Sequence, residues 1–174
     1  MSDTPIIERH IISVLVDNEP GVLARVIGLF SGRGYNIESL TVAETDDRKG
    51  LSRISVVTSG TPMVIEQIKA QLARLVPIHS VRDLTENDVA IERELALVKI
   101  INRGDDRIES LRIADTFRAR TLDSTLNSFV FEVTGNSSKV DAFVDLMRSL
   151  GDVEVARTGV SAISRGNRID LEAK

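Results

Sequence analysis

Asp17-Asn18-Glu19-Pro20-Gly21-Val22-Leu23 and, one helix later, Gly34-Tyr35-Asn36-Ile37-Glu38-Ser39-Leu40 carry the turn chemistry that decides the fold. Between the turns Val22, Leu23, Val26, Ile27 and Phe30 recur at helical spacing and line one face. Glu19 precedes a proline and is biased away from the helical region, while Pro20 suits the first helical position. Gly32 and Gly34 supply a left-handed stop. The stretch therefore reads as strand, turn, helix, turn, strand.

Outward from it, residues 11–16 form an apolar run long enough for a buried strand and too short for a helix. Residues 37–44 read as a strand with Leu40 and Val42 on one face, and Asp46-Asp47-Arg48-Lys49-Gly50 as a charged hairpin loop before a return strand over 51–58. Ile65, Ile68, Leu72 and Leu75 mark a second helix, Pro77 ends it, and 78–84 reads as a last strand. The order is βαββαβ, the ferredoxin-like split motif.

The acidic segment 85–94 lacks a strong period and reads as a linker. Beyond it the pattern recurs: a strand over 95–101, a helix marked by Ile108, Leu111, Ala114 and Phe117, and a strand pair over 121–126 and 129–134. Val140, Phe143, Val144, Met147 and Leu150 then mark an amphipathic helix, and 153–163 closes the unit, interrupted by Gly159. The expectation is an α+β chain of two ferredoxin-like domains, over 1–84 and 95–174, joined by the 85–94 linker.

Composition narrows the function classes. The 174 residues contain no cysteine, which removes disulfides and thiolate metal sites. No apolar run reaches the length of a membrane span, and Met1-Ser2-Asp3-Thr4-Pro5 lacks the basic start and apolar stretch of a signal peptide. These facts favour the cytosol, or an organelle after processing, and a cytoplasmic location is the expectation. The net charge of −4, with cations scattered among acids, counts against nucleic acid as the main partner.

Catalytic chemistry has few candidates. His10 and His79, the only imidazoles, lie on separate strands and read as structural or exposed. Asp46 and Asp47 read as a solvated turn, and Gly28, Gly32 and Gly34 match neither dinucleotide nor phosphate-loop spacing. Asn136-Ser137-Ser138 reads as a turn and helix cap. Phe129 and Phe131 alternate as aromatics do on the sheet of an RNA-recognition module, but Ser128 and Glu132 stand where basic and glycine residues belong, so core packing is the better reading. No catalytic residue and no metal ligand is expected.

The first turn has more to offer. A helix start presents unpaired N–H donors and the positive end of a dipole, which attract a carboxylate. Gly21 lets a ligand approach the backbone of Gly21, Val22 and Leu23, and Asn18 and Asn36 can each accept from an ammonium group. Both asparagines are expected on the same side of the first two strands. Plain turn chemistry explains these residues equally well.

The Asp17–Leu23 stretch resembles the opening loop of ACT domains, the amino-acid-sensing modules of metabolic enzymes. Leu23-Ala24-Arg25-Val26-Ile27-Gly28-Leu29-Phe30-Ser31, with Arg33-Gly34-Tyr35-Asn36-Ile37-Glu38-Ser39-Leu40-Thr41-Val42-Ala43, is similar more narrowly to the small, regulatory subunits of acetolactate synthase (acetohydroxyacid synthase). Leu51-Ser52-Arg53, residues 94–100 and Val153-Glu154-Val155-Ala156-Arg157-Thr158-Gly159 continue the match, which covers most of 9–166. Pro20 and Ala24 stand where other members often carry serine.

The resemblance implies a subunit that performs no chemistry, activates a catalytic large subunit, and confers feedback inhibition by valine or related branched-chain amino acids. It implies no cofactor here, and thiamine diphosphate, Mg²⁺ and FAD in the partner. It implies a homodimer through ACT domains, with Asn18 and the Gly21, Val22 and Leu23 amides from one protomer facing Asn36 and Ile37 of its neighbour. From position alone, Arg25, Arg33, Glu44 and Asp46 are candidates for contact with the catalytic subunit. The alternatives are a free-standing ACT sensor for another enzyme and, from a different class, a ferredoxin-like nucleic-acid-binding protein.

Overall fold

The computed structural model describes residues 6–46, 50–86 and 90–167. The chain divides into two compact units, Met1–Ile91 with Val160–Lys174, and Glu92–Gly159. These limits differ from the expected 1–84 and 95–174, because residues 160–164 fold with the first unit. The expected linker also differs. Residues 87–89 lie outside the described residues, and from Ala90 onward the chain is already a strand.

The first unit contains β1 (Glu8–Asp17), α1 (Val22–Gly32), β2 (Ser39–Asp46), β3 (Leu51–Gly60), α2 (Pro62–Leu72) and β4 (Ile78–Asp83). Its strands run β2-β3-β1-β4, each pair antiparallel. This is the strand order of the split βαβ motif. The inward face follows the sequence pattern: Ile12, Val14 and Val16 of β1 and Ile54 and Val56 of β3 pack against Val22, Val26 and Phe30 of α1 and Ile65, Ile68 and Leu72 of α2. Each such side chain, taken fully out of water, contributes about 1.5–3 kcal/mol before entropy is counted. Leu40 joins the same cluster, while Val42 on the same face is 45% exposed near the end of the edge strand.

Two details of α1 differ from expectation. Pro20 is not the first helical residue; Gly21 caps the helix at φ +87° and Val22 begins it. At the other end Gly32 is the last helical residue, Arg33 is the C-cap, and Gly34 alone takes positive φ, at +71°. The expected hairpin loop at Asp46 has its tip, 47–49, outside the described residues.

The opposite face of the sheet is also covered. Ile11 and Val57 pair across β1 and β3 and pack with Leu84, Val160 and Ala162 in a second cluster. Val160 and Ala162 belong to the segment entering β9 (Ser161–Ser164). Periodicity cannot reveal this, since residues 160–164 look equally suited to close the unit that precedes them.

The second unit repeats the order with β5 (Ala90–Ile101), α3 (Asp105–Thr116), β6 (Arg120–Ser124), β7 (Ser128–Gly135), α4 (Ser137–Arg148) and β8 (Asp152–Arg157). Its path is β6-β7-β5-β8, and β9 pairs with β5 off that path. Ala96, Val98 and Ile100 pack with Phe129, Phe131, Val133 and the α4 residues Val140, Phe143, Val144 and Met147. Phe129 and Phe131 are 3% and 0% exposed, so neither ring offers a stacking surface to a base. The expected cap is present: Asn136 accepts from the backbone of Lys139 at 3.0 Å.

The face of α3 is a correction. Ile108 and Leu111 are 56% and 40% exposed, and Ser110 and Ala114 are the buried pair. Asn102 explains the rotation: its Nδ2 donates to Ser110 Oγ at 2.6 Å and to the Asp106 carbonyl at 3.1 Å. A buried amide must find partners, and this one draws a polar helical position inward.

Candidate functional site

The start of α1 is a bare helix terminus. Gly21 adopts the left-handed conformation, makes no side-chain cap, and no acidic residue stands in the first turn. By contrast Thr61 caps α2 and Asn136 caps α4 with side-chain oxygens, and α3 opens with Asp105 and Asp106. Arg25 donates the first helical bond to the Gly21 carbonyl at 3.1 Å, and the Val22 N–H reaches back to Glu19 at 3.4 Å. The N–H groups of Leu23 and Ala24 sit at positions without an intrahelical acceptor. Positive dipole, absent cap and absent counter-charge together favour an anion here. The Val22 side chain is buried in the core at 4% exposure, so only its backbone could face a ligand, whereas Leu23 is 37% exposed.

Asn18 is exposed directly after β1, its backbone N–H held by the Gly50 carbonyl at 2.7 Å. Next to it, Asp17 Oδ1 meets His79 Nε2 at 2.5 Å. The β1–β4 register passes from Leu15↔Ser80 to Val16↔Ile78, which leaves His79 as the extra residue of a bulge and aims its ring at Asp17.

Asn36 and Ile37 are elsewhere. Asp17 pairs with Leu51 of β3, but Ser39, at the start of β2, pairs with Val57. Six strand residues at about 3.3 Å each place the two turns roughly 20 Å apart, at opposite ends of the sheet. The expectation that Asn18 and Asn36 share a side of the first two strands is thus corrected. β1 and β2 both run antiparallel to β3, so the end of one lies level with the end, not the start, of the other. Asn36 is exposed and its carbonyl accepts from Thr58 Oγ1 at 2.6 Å, while Ile37 is half-buried against the unit's own core.

The partner-contact candidates are also divided. Arg25 lies near the start of α1, and Glu44 and Asp46 near the end of β2, opposite Ser52 and Leu51. Arg33 caps the other end of α1. Arg25, Arg33 and Glu44 are exposed.

Titratable groups away from the turn are tied into structure. His10 Nδ1 meets Asp83 Oδ2 at 2.6 Å, and Asp83 Oδ1 accepts from the backbone and hydroxyl of Thr85 at 2.9 and 2.7 Å. Thr85 Oγ1 in turn accepts from the Ile11 backbone at 2.9 Å. In the second unit the buried Glu94 carboxylate is bonded by the Arg157 guanidinium, which also donates to Asp141 at 2.6 Å. The bond to Glu94 raises the Arg157 pKa most, burial lowers it, and Asp141 raises it further. Among the described residues no cluster of three or more His, Asp or Glu is placed to hold a metal ion. No helix among them is long and apolar enough to cross a membrane.

Residues the sequence did not single out complete this region. Ser39 and Thr41, which alternate with Leu40 and Val42 on β2, are bonded to the backbone of Val160. Thr58, which anchors Asn36, is fully buried. Their spacing of two on a strand is the one available signal, and it does not distinguish water from a covering segment.

Comparison with known proteins supplies the family. A family model described as the AHAS small subunit-like ACT domain matches residues 12–80, and one described as the small subunit of acetolactate synthase matches 93–166. The chain is 49% identical over 160 residues to the probable acetolactate synthase small subunit of Archaeoglobus fulgidus, covering 92% of this chain and 99% of that one. It is 48% identical over 162 residues to the acetolactate synthase isozyme 3 small subunit of Escherichia coli, covering 92% and 98%. The crystal structure of the acetolactate synthase small subunit from Thermotoga maritima superposes with a TM-score of 0.82 at 37% identity, covering 92% of this chain and 99% of that one. The chain belongs to the family of acetolactate synthase small subunits, with an ACT domain as its first unit.

Proposed function

We propose that this chain is a regulatory subunit that activates an acetolactate synthase large subunit and makes it sensitive to valine or a related branched-chain amino acid. The observation carrying this reading is the bare start of α1 with Asn18 beside it, at the opposite end of the sheet from Asn36. A small zwitterion needs donors for its carboxylate and acceptors for its ammonium group. The Gly21, Val22 and Leu23 amides serve the first need, Val22 by giving up its long 3.4 Å bond to Glu19, and the asparagine side chains serve the second. One protomer cannot supply both asparagines, so the effector bridges two, in a homodimer formed through ACT domains. Leu23, exposed beside the amides, provides apolar surface for the aliphatic side chain.

The subunit itself performs no bond chemistry. Thiamine diphosphate, Mg²⁺ and FAD belong to the catalytic partner, with which this chain works in the cytoplasm. Effector control requires only that one dimer arrangement binds valine better than another; a coupling of about 1–3 kcal/mol gives a 5- to 150-fold effect. Arg25, Arg33, Glu44 and Asp46 remain the candidate contacts with the large subunit.

A thermal melt against a panel of amino acids tests the reading. A ligand at about 100 times its dissociation constant adds roughly 2.7 kcal/mol, or a Tm rise of about 5–10 °C for a chain of this size. The expected result is a rise with valine, leucine or isoleucine that disappears in Asn36→Ala. A flat panel both alone and with the large subunit present would sink it.

A further inference from the structure

The outward face of the first sheet holds a device that the effector reading does not use. Ile11, Val57 and Ser39 form one row across β1, β3 and β2, and Ser13, Ser55 and Thr41 form the next. Ser13 and Ser55 are only 5% and 3% exposed, although both are polar and face away from the helices. Leu84, Val160 and Ala162 pack on this face, and the edge strand holds the backbone at Val160. The Val160 N–H donates to Ser39 Oγ at 2.7 Å, and Thr41 Oγ1 donates to the Val160 carbonyl at 3.0 Å. Both polar groups of one peptide residue are therefore gripped by two side chains of the edge strand. The Val160 side chain, 2% exposed, is buried beside Ile11 and Val57.

The grip continues directly into the segment bearing Asn36. Going back along the chain from Ser39, Glu38 donates its N–H to Val57 at 2.8 Å and accepts from Ser59 at 2.5 Å, and Asn36 accepts from Thr58. Residues 36–41 are thus held on one side by β3 and on the other by Val160, where the chain has just left the second unit. The segment from Asn36 to the clasp is closely tied: Asn36, Glu38, Ser39 and Thr41 together carry five bonds of this kind.

We propose that Ser39 and Thr41 are positioning residues, which clasp Val160 and thereby couple the effector half-site at Asn36 and Ile37 to the segment returning from the second unit. The proposal rests on the effector reading above. Coupling of this kind is reciprocal: if the clasp favours the binding arrangement of Asn36, then effector binding tightens the clasp by the same factor. The free energy is local, carried by part-buried hydrogen bonds, where fewer waters compete than at the open surface.

The test uses the full-length chain, L-valine as probe, and the pair of variants Ser39→Ala and Thr41→Val, singly and together. Amide hydrogen exchange at Val160 and the valine dissociation constant are both measured. Expected are faster exchange at Val160 in the ligand-free double variant, a fall of at least about 5-fold in valine affinity, and slower exchange at Val160 when wild-type protein binds valine. Thr41→Ser, which keeps the hydroxyl, restores affinity. Wild-type affinity in a double variant whose Val160 exchange has risen overturns the coupling. A wild-type chain that does not bind valine at all, alone or with its large subunit, instead overturns the effector reading. A double variant that melts earlier yet still shows no change in exchange at Val160 also counts against the clasp, because a merely structural role would lower stability without acting there.

Discussion

Asn18 follows the last residue of β1, opposite the start of β3 at Leu51, whereas the carbonyl of Asn36 is bonded to Thr58 near the other end of that strand. The two side chains most suited to an ammonium group are therefore separated by the length of the sheet. The homodimer proposed above would bring them together, because each residue of an isologous interface meets its complement from the other copy.

Subunit mixing tests that arrangement directly. Asn18→Ala and Asn36→Ala should each abolish valine binding as pure preparations. After denaturation and co-refolding at equal amounts, mixed dimers hold one site with both defects and one intact. Isothermal titration should then recover roughly a quarter of the wild-type sites at wild-type affinity. No recovery, with dimers formed, would place both asparagines in the same site within one protomer or outside the site altogether.

Gly21 should resist substitution for conformational reasons. At φ +87° a side chain is strained even though a Cβ would meet nothing within 4 Å. Gly21→Ala is expected to cost about 1–2 kcal/mol in urea denaturation, and Gly21→Asn less, since asparagine tolerates this region. Valine affinity should fall in both, because the added atoms would stand in the carboxylate site proposed above.

The Glu94–Arg157 pair should be worth more broken than intact. The Glu94 side chain is 3% exposed, and Arg157 supplies its charge partner. Arg157→Met leaves a buried carboxylate uncompensated, at about 3 kcal/mol, and adding Glu94→Gln should return part of that loss. The bond to Glu94 raises the Arg157 pKa and favours its charged form, so at pH 7, far below the guanidinium's own range, its contribution is fully present. Denaturation of the double and single variants at pH 7 gives the comparison.

Gly151 is fixed by space instead of by φ. A Cβ there would lie 2.3 Å from the Ile101 carbonyl oxygen and 3.1 Å from Asn102 Cβ. Backbone cannot swing aside as a side chain does, so Gly151→Ala should destabilise the second unit by about 1–3 kcal/mol. Gly60→Ala should cost less, since its nearest neighbour is the Val64 side chain at 3.1 Å. Circular dichroism melts of the two variants rank them.

Much of this molecule was legible in its sequence. Period-two and helical spacings are properties of neighbouring residues, so the apolar runs of β1 and β3, the faces of α2 and α4, and the Asn136 cap could be read without a partner in view. On α1 only Val22, Val26 and Phe30 of the expected face are buried, while Leu23 and Ile27 are exposed. The exposed turn at Asn18–Leu23 was equally local, because glycine and proline impose their conformations wherever they stand. What local pattern could not carry was any relation set by long-range pairing. The burial of Ser110 on α3 depends on Asn102, eight residues earlier. The return of Val160 to the first sheet depends on Ser39 and Thr41, about 120 residues earlier. The separation of Asn18 from Asn36 depends on the direction of β3 between their strands. Spacing along a chain specifies which face a residue takes; only strand register and the packing of distant segments specify which other residues share it, and those are settled by burial and hydrogen bonding summed over the whole fold.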